Sequence, residues 1–146
     1  MIYDVVIIGT DFVQENMELL QKERGGNVFF LEQKSDYLNG IQMSYNYYKG
    51  ADCEVCITHG VLLGITQQSF GFELQILISR HHMVTIHSKQ ILITTYESMK
   101  DNSVISLYEV LWAAGVQLCE RTLYPQTDNN NETSTRGIFY SIPMLC

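Results

Sequence analysis

The chain has 146 residues, 46% of them hydrophobic, and a formal net charge of −7. That length suits one domain spanning residues 1–146 with a core of its own. An acidic chain without a Lys/Arg cluster argues against a nucleic-acid or anionic-membrane partner, because either needs a basic field to attract phosphates, and no apolar run reaches the roughly 18 residues of a membrane-spanning helix.

In chain order, Tyr3-Asp-Val-Val-Ile-Ile8 reads as a buried strand that meets Gly9. Phe12, Met17, Leu19 and Leu20 predict a helix from about Asp11 to Arg24, stopped by Gly25-Gly26. Asn27-Val-Phe-Phe-Leu31 is a second buried parallel strand, followed by Glu32. Together these trace the βαβ outline of a dinucleotide-binding unit. The three glycines of the G-x-G-x-x-G loop serve a tight turn, backbone approach to a pyrophosphate and close helix–strand packing. Here those positions read Gly9, Asp11 and Gln14. Asp11 and Gln14 are spaced as the cap and third residue of a capping box, a structural role preferred here over a catalytic one.

A second helix is predicted over Tyr37 to Lys49, with Leu38, Ile41 and Tyr45 on one face. Its Tyr45, Tyr47 and Tyr48 are too many for one buried stripe and place some rings at a rim or interface. Glu54 to Thr58 reads as a strand that passes through His59-Gly60 into Val61 to Thr66. From Phe70 to Ile78, and again from Met83 to His87, the period is two around the turn at Ser79-Arg-His-His82, which predicts an antiparallel meander. Gln90 to Thr95 returns as a short buried strand. Ser103 can cap a helix running to about Ala114, with Leu107, Leu111 and Trp112 inward and Gly115 as its stop. Gln126 to Arg136, with three consecutive asparagines, reads as the least ordered segment. Gly137 to Ile142 is the last strand, closed by Pro143.

Few residues offer chemistry. Cys53, Cys56, Cys119 and Cys146 are expected as reduced thiols. The C-x-x-C pair lies in a strand-like run, where residues three apart point to opposite faces, so core or surface cysteines are favoured over a redox pair. His81, His82 and His87 match no metal-ligand spacing and read as a solvated turn, so no metal is assigned. His59 near Cys56 has no identifiable orienting acid, and Glu97, Asp101 and Glu109 read as a solvated rim. No catalytic residue is assigned. The amino terminus lacks the pattern of a secretion signal, so a cytoplasmic or other intracellular protein is expected, in which the sequon Asn131-Glu132-Thr133 is accidental.

The order strand, helix, strand, helix, strand, meander, strand and distant last strand resembles the flavin-binding domain of the pyridine-nucleotide-disulfide oxidoreductases, the thioredoxin-reductase-like group. The residues that carry the likeness are Tyr3-Asp-Val-Val-Ile-Ile-Gly9, Glu32, Tyr48-Lys-Gly-Ala-Asp-Cys-Glu-Val55, Gln90-Ile-Leu-Ile-Thr-Thr95 and Glu132-Thr-Ser-Thr-Arg-Gly-Ile-Phe139. The resemblance implies an α/β fold, a Rossmann-like three-layer domain with a parallel central sheet and an antiparallel β-meander. It also implies cofactor contacts at Gly9, Thr10 and Asp11 after the first strand, at Glu32 toward a ribose, and at Thr94 and Thr95 near the family's A-T-G turn.

The departures are as informative. Thr94-Thr95-Tyr96 replaces A-T-G, Ser141 to Met144 replaces the family's G-D pair, and the roughly 40 residues between Thr95 and Arg136 leave no room for a nicotinamide-binding insertion. Asp11 sets a carboxylate where a pyrophosphate would lie, and one like-charge contact at about 4 Å costs on the order of 4 kcal/mol at an effective dielectric of about 20. FAD, the cofactor the resemblance implies, is therefore disfavoured, and the cofactor stays unassigned. The expectation is a degenerate FAD/NAD(P)-binding-like domain without full reductase activity, acting as an interaction or structural subunit. The alternative is a compact flavin- or nucleotide-binding oxidoreductase component that works with a partner chain. The expected partner is a second copy or a larger protein, docked on the tyrosine-bearing second helix or the final strand.

Overall fold

A computed structural model describes residues 1–9, 26–33, 46–49, 53–79, 81–94, 107–121 and 124–140. Continuous β-branched and aromatic runs make the first two strands, β1 (Ile2–Gly9) and β2 (Gly26–Gln33). They pair in parallel, with Val5 opposite Val28 and Gly9 opposite Glu32. Next come β3 (Asn46–Lys49), β4 (Cys53–Gln68), β5 (Gly71–Ser79), β6 (His82–Ile93), the helix α1 (Leu107–Ala113) and β7 (Ile138–Tyr140).

Two of these strands do double duty. The first half of β4 runs parallel to β2, while its second half pairs antiparallel with β5 across a register shift between Leu62 and Gly64. An irregularity of this kind bends a strand and raises its twist. In the same way, β6 begins antiparallel to β5 and ends parallel to both β1 and β7. The path β1, β2, β4, β5, β6 thus returns to β1 and closes a ring of hydrogen-bonded strands.

These strands form one mixed sheet of seven, and the helix found among the described residues spans only seven residues. This corrects the expected three-layer Rossmann-like α/β domain, since the described chain is mostly strand. The parallel pairings and the meander are both present, but they share continuous strands instead of forming separate layers. The expected helix over Tyr37 to Lys49 is also corrected at its end. Asn46–Lys49 pairs antiparallel with β4, Tyr47 opposite Cys56 and Tyr48 opposite Val55. The open edge of β4 supplies a hydrogen-bonding template, and adjacent tyrosines suit a pleated surface. The first expected helix lies outside the described residues, as does Ser103.

One large core joins Val6 and Ile8 of β1 to Phe29, Leu31, Ile91, Ile93, Tyr140 and the alternating Phe72, Leu74, Ile76 and Ile78 of β5. On the opposite face of the parallel strands, Val5, Ile7, Val28, Phe30 and Leu92 form a smaller cluster. Burial on both faces explains why β1 and β2 read as unbroken apolar runs while β5 alternates. The helix adds Leu107, Val110 and Leu111 to the large core. Trp112, expected inward, is 68% exposed, because it lies about 100° around the helix from Leu111.

The helix ends at Gly115 as expected, and its geometry gives the reason. The Gly115 N–H donates to the Trp112 carbonyl and the Val116 N–H to the Leu111 carbonyl, a paired closure that requires the left-handed φ of +88° at Gly115. Gln126 to Arg136, expected as the least ordered segment, is a built loop. The Asp128 carboxylate accepts the N–H groups of Asn130 and Glu132 at 2.8 and 3.0 Å, and Asn131 takes the left-handed conformation that asparagine tolerates. Asparagine and aspartate organise a turn here, where their polarity alone reads as disorder.

Ile76, fully buried at the centre of β5, should therefore be a sensitive position. Ile76→Ala should cost about 2–5 kcal/mol, whereas Leu77→Ala on the half-buried neighbouring face should cost markedly less. Urea denaturation of the two variants would check this.

Candidate functional site

Parallel strands place their carboxyl ends on one edge, where ligands of open α/β sheets gather. Register brings three residues into line on that edge. Gly9 at the end of β1 is opposite Glu32 in β2, and Glu32 is opposite His59 in β4. Thr94 follows β6, whose Ile93 is opposite Ile8. Of the six residues expected to contact a cofactor, Gly9, Glu32 and Thr94 therefore converge at backbone level. Thr10, Asp11 and Thr95 lie outside the described residues.

The contact between Gly9 and Thr94 defines the character of this edge. Thr94 donates its N–H to the Ile8 carbonyl at 2.8 Å and its hydroxyl to the same oxygen at 3.1 Å. A Cβ at Gly9 would sit 2.5 Å from Thr94 Oγ1 and 3.4 Å from the Phe30 ring. Glycine is needed at position 9 because a neighbouring strand's side chain fills the space above it.

The Cys56 thiol is buried, 3.9 Å from the Thr58 hydroxyl. Burial pushes its pKa up from the usual 9.0, against smaller lowering contributions from hydrogen bonds to Thr58 and Tyr3. It is thus a protonated core residue at neutral pH, with the opposite of nucleophile activation. Cys119 is disulfide-bonded, its partner lying outside the described side chains, which corrects the expectation of reduced thiols throughout. His81 and His82 are exposed in the turn that opens β6. His87 instead lies 3.6 Å from Glu73 and edge-on to Phe70.

The Thr133-Ser-Thr-Arg-Gly137 segment, which carries much of the family likeness, acts as a strap. The Thr135 hydroxyl donates to the Ala114 carbonyl at 3.3 Å and the Ser134 hydroxyl to the Gly115 carbonyl at 3.2 Å, tying the end of α1 to the approach of β7. Thr133 is buried and donates to the Thr135 and Ile138 carbonyls. The same strap covers the outer edge of β7, since the Thr133 N–H donates to the Ile138 carbonyl and the Tyr140 N–H to the Asn131 carbonyl. Tyr140 is fully buried. The last strand therefore does not offer the open edge that its position in the sequence suggests.

At the amino end of the parallel strands lies a groove of about 490 Å³ lined in part by Lys89, Gln90 and Arg136. Sequence reading did not single out Lys89 for chemistry and used Arg136 only as part of a motif. The two are 47 residues apart, and only the β6–β7 pairing brings their segments together.

No helix among the described residues is long and apolar enough to cross a membrane. Compared with models of known protein families and with curated protein sequences, the chain matches none.

Two measurements probe this geometry. Gly9→Ala should cost about 1–3 kcal/mol by overpacking against Thr94. A double-mutant cycle with Thr94→Ala should show a coupling of at least about 0.5 kcal/mol. Because the folded-state pKa of Cys56 is raised, the stability it contributes is present below pH 9.0 and lost as the pH rises through the folded value. Urea midpoints should fall more steeply above pH 9.0 in the wild type than in Cys56→Ala.

Proposed function

We propose that the protein is a degenerate FAD/NAD(P)-binding-like domain of the thioredoxin-reductase-like group that lacks full reductase activity and serves as an interaction or structural subunit. The observation that carries this reading is the Gly9–Thr94 contact. The strand end that admits a pyrophosphate in the family is here packed against a threonine hydroxyl already bonded to Ile8. The burial and raised pKa of Cys56 add support, since thiol chemistry needs an accessible thiolate. Fold does not determine function, and a sheet keeps its core after its site changes. The alternative, a compact nucleotide-binding component working with a partner chain, draws on the alignment of Gly9, Glu32 and Thr94 along one edge.

For a partner, the tyrosine-bearing segment remains the favoured contact, now as strand β3. Among the described residues β3 pairs only with β4, and the backbone N–H and C=O groups along the other side of a strand form a template for pairing with another chain. The partner is a second copy or a larger protein.

The purified protein should show no flavin absorbance between roughly 350 and 500 nm and release no nucleotide on denaturation. A stoichiometric flavin would overturn the reading. Sedimentation should show association that weakens in Tyr47→Lys and Tyr48→Lys while thermal stability holds; a wild type that stays monomeric and retains no partner would remove the interaction role.

A further inference from the structure

The groove at the amino end of the parallel strands has the makings of a second site, built from the β4–β5 turn, the middle of β6 and the strap before β7. It uses no residue of the carboxyl edge. Gln90, on its wall, precedes Thr94 by four residues of extended chain, or about 13 Å. Its volume of about 490 Å³ lies within the range of small-molecule pockets.

The lining has two parts. Arg136 and Lys89 supply positive charge in a chain whose net charge is −7. Arg136 is exposed and has no ion-pair or hydrogen-bond partner among the described residues. Lys89 pairs with Asp4 at 3.2 Å, but the two side chains are 62% and 40% exposed, and an exposed pair of this kind holds its partner weakly. The acid in the lining, Glu132, is engaged, with Oε2 accepting the Gly137 N–H at 2.9 Å. The other part is aromatic. Phe70 is exposed in the β4–β5 turn with its ring set at 78° to His87, and Phe72 packs beneath Gly137.

We propose that this groove binds a small organic anion with a planar body, its phosphate or carboxylate held by Arg136 and Lys89 and its ring resting against Phe70. Arginine suits both head groups because its planar fork presents paired donors to either. A planar body gains dispersion and apolar burial against an exposed ring.

The proposal is tested by calorimetry on the full chain with naphthyl phosphate and 2-naphthoate, whose comparison identifies the preferred head group. Inorganic phosphate and neutral 2-naphthol serve as controls. At least one naphthyl anion should bind saturably, about tenfold or more tighter than either control. Arg136→Gln should weaken that binding about tenfold, and Phe70→Ala should reduce the advantage over inorganic phosphate. Arg121→Gln, which changes net charge equally outside the groove, should leave it unchanged. No saturable binding of either naphthyl anion, binding indifferent to Arg136→Gln, or an equal loss in Arg121→Gln would each overturn the proposal. Because Gly9 and Thr94 take no part, its failure leaves the reading of the carboxyl edge intact.

Discussion

The structure depends on β1 being hydrogen-bonded in parallel on both sides, to β2 through Val5–Gly9 and to β6 through Ile2–Ile8. Without that second pairing the ring of strands does not close. Both faces of β1 are buried, Val6 and Ile8 in the large core and Val5 and Ile7 in the small one. Each fully buried aliphatic side chain contributes on the order of 1.5–3 kcal/mol. Four consecutive side chains of this kind make β1 the place where the two cores and both halves of the sheet are joined.

Continuity of β4 and β6 follows from that closure. A layered α/β domain keeps its meander apart from its parallel sheet, but here each long strand carries one pairing mode into the other. The bend lies where β4 changes register at Leu62 and Gly64. The seven-residue helix is too short to be stable alone and is held from outside, by its apolar face in the large core and by the threonine–serine strap at its carboxyl end. The strap both anchors α1 and pairs the edge of β7, so one loop secures two elements.

These constraints separate the two ends of the parallel strands chemically. At the carboxyl end, a Cβ at Gly9 would meet the Thr94 hydroxyl, which donates to the Ile8 carbonyl, so these two strand ends are closely packed. At the amino end, the turn after β4 and the strap before β7 stand apart and leave a groove flanked by Lys89 and Arg136. The family-like motif Thr133 to Gly137 has a structural explanation at its threonines and serine, while its arginine faces an open surface.

Local sequence determined most of the strands, β3 excepted, because those strands have a signature that their own residues carry. Continuous apolar runs marked β1 and β2 as strands buried on both faces, alternation marked β5, and Gly115 marked the helix end. The convergence of Gly9, Glu32 and Thr94 was legible for the same reason, since strand ends in a parallel sheet share an edge. Tertiary structure alone decided the rest. Whether Asn46–Lys49 became helix or strand depended on the open edge of β4, and the three asparagines formed a turn because Asp128 accepts the loop's N–H groups. The closed ring, the covered edge of β7 and the placing of Lys89 and Arg136 in the lining of one groove arise from pairings between distant segments, and a hydrogen-bonding backbone carries no local mark of which partner it will take.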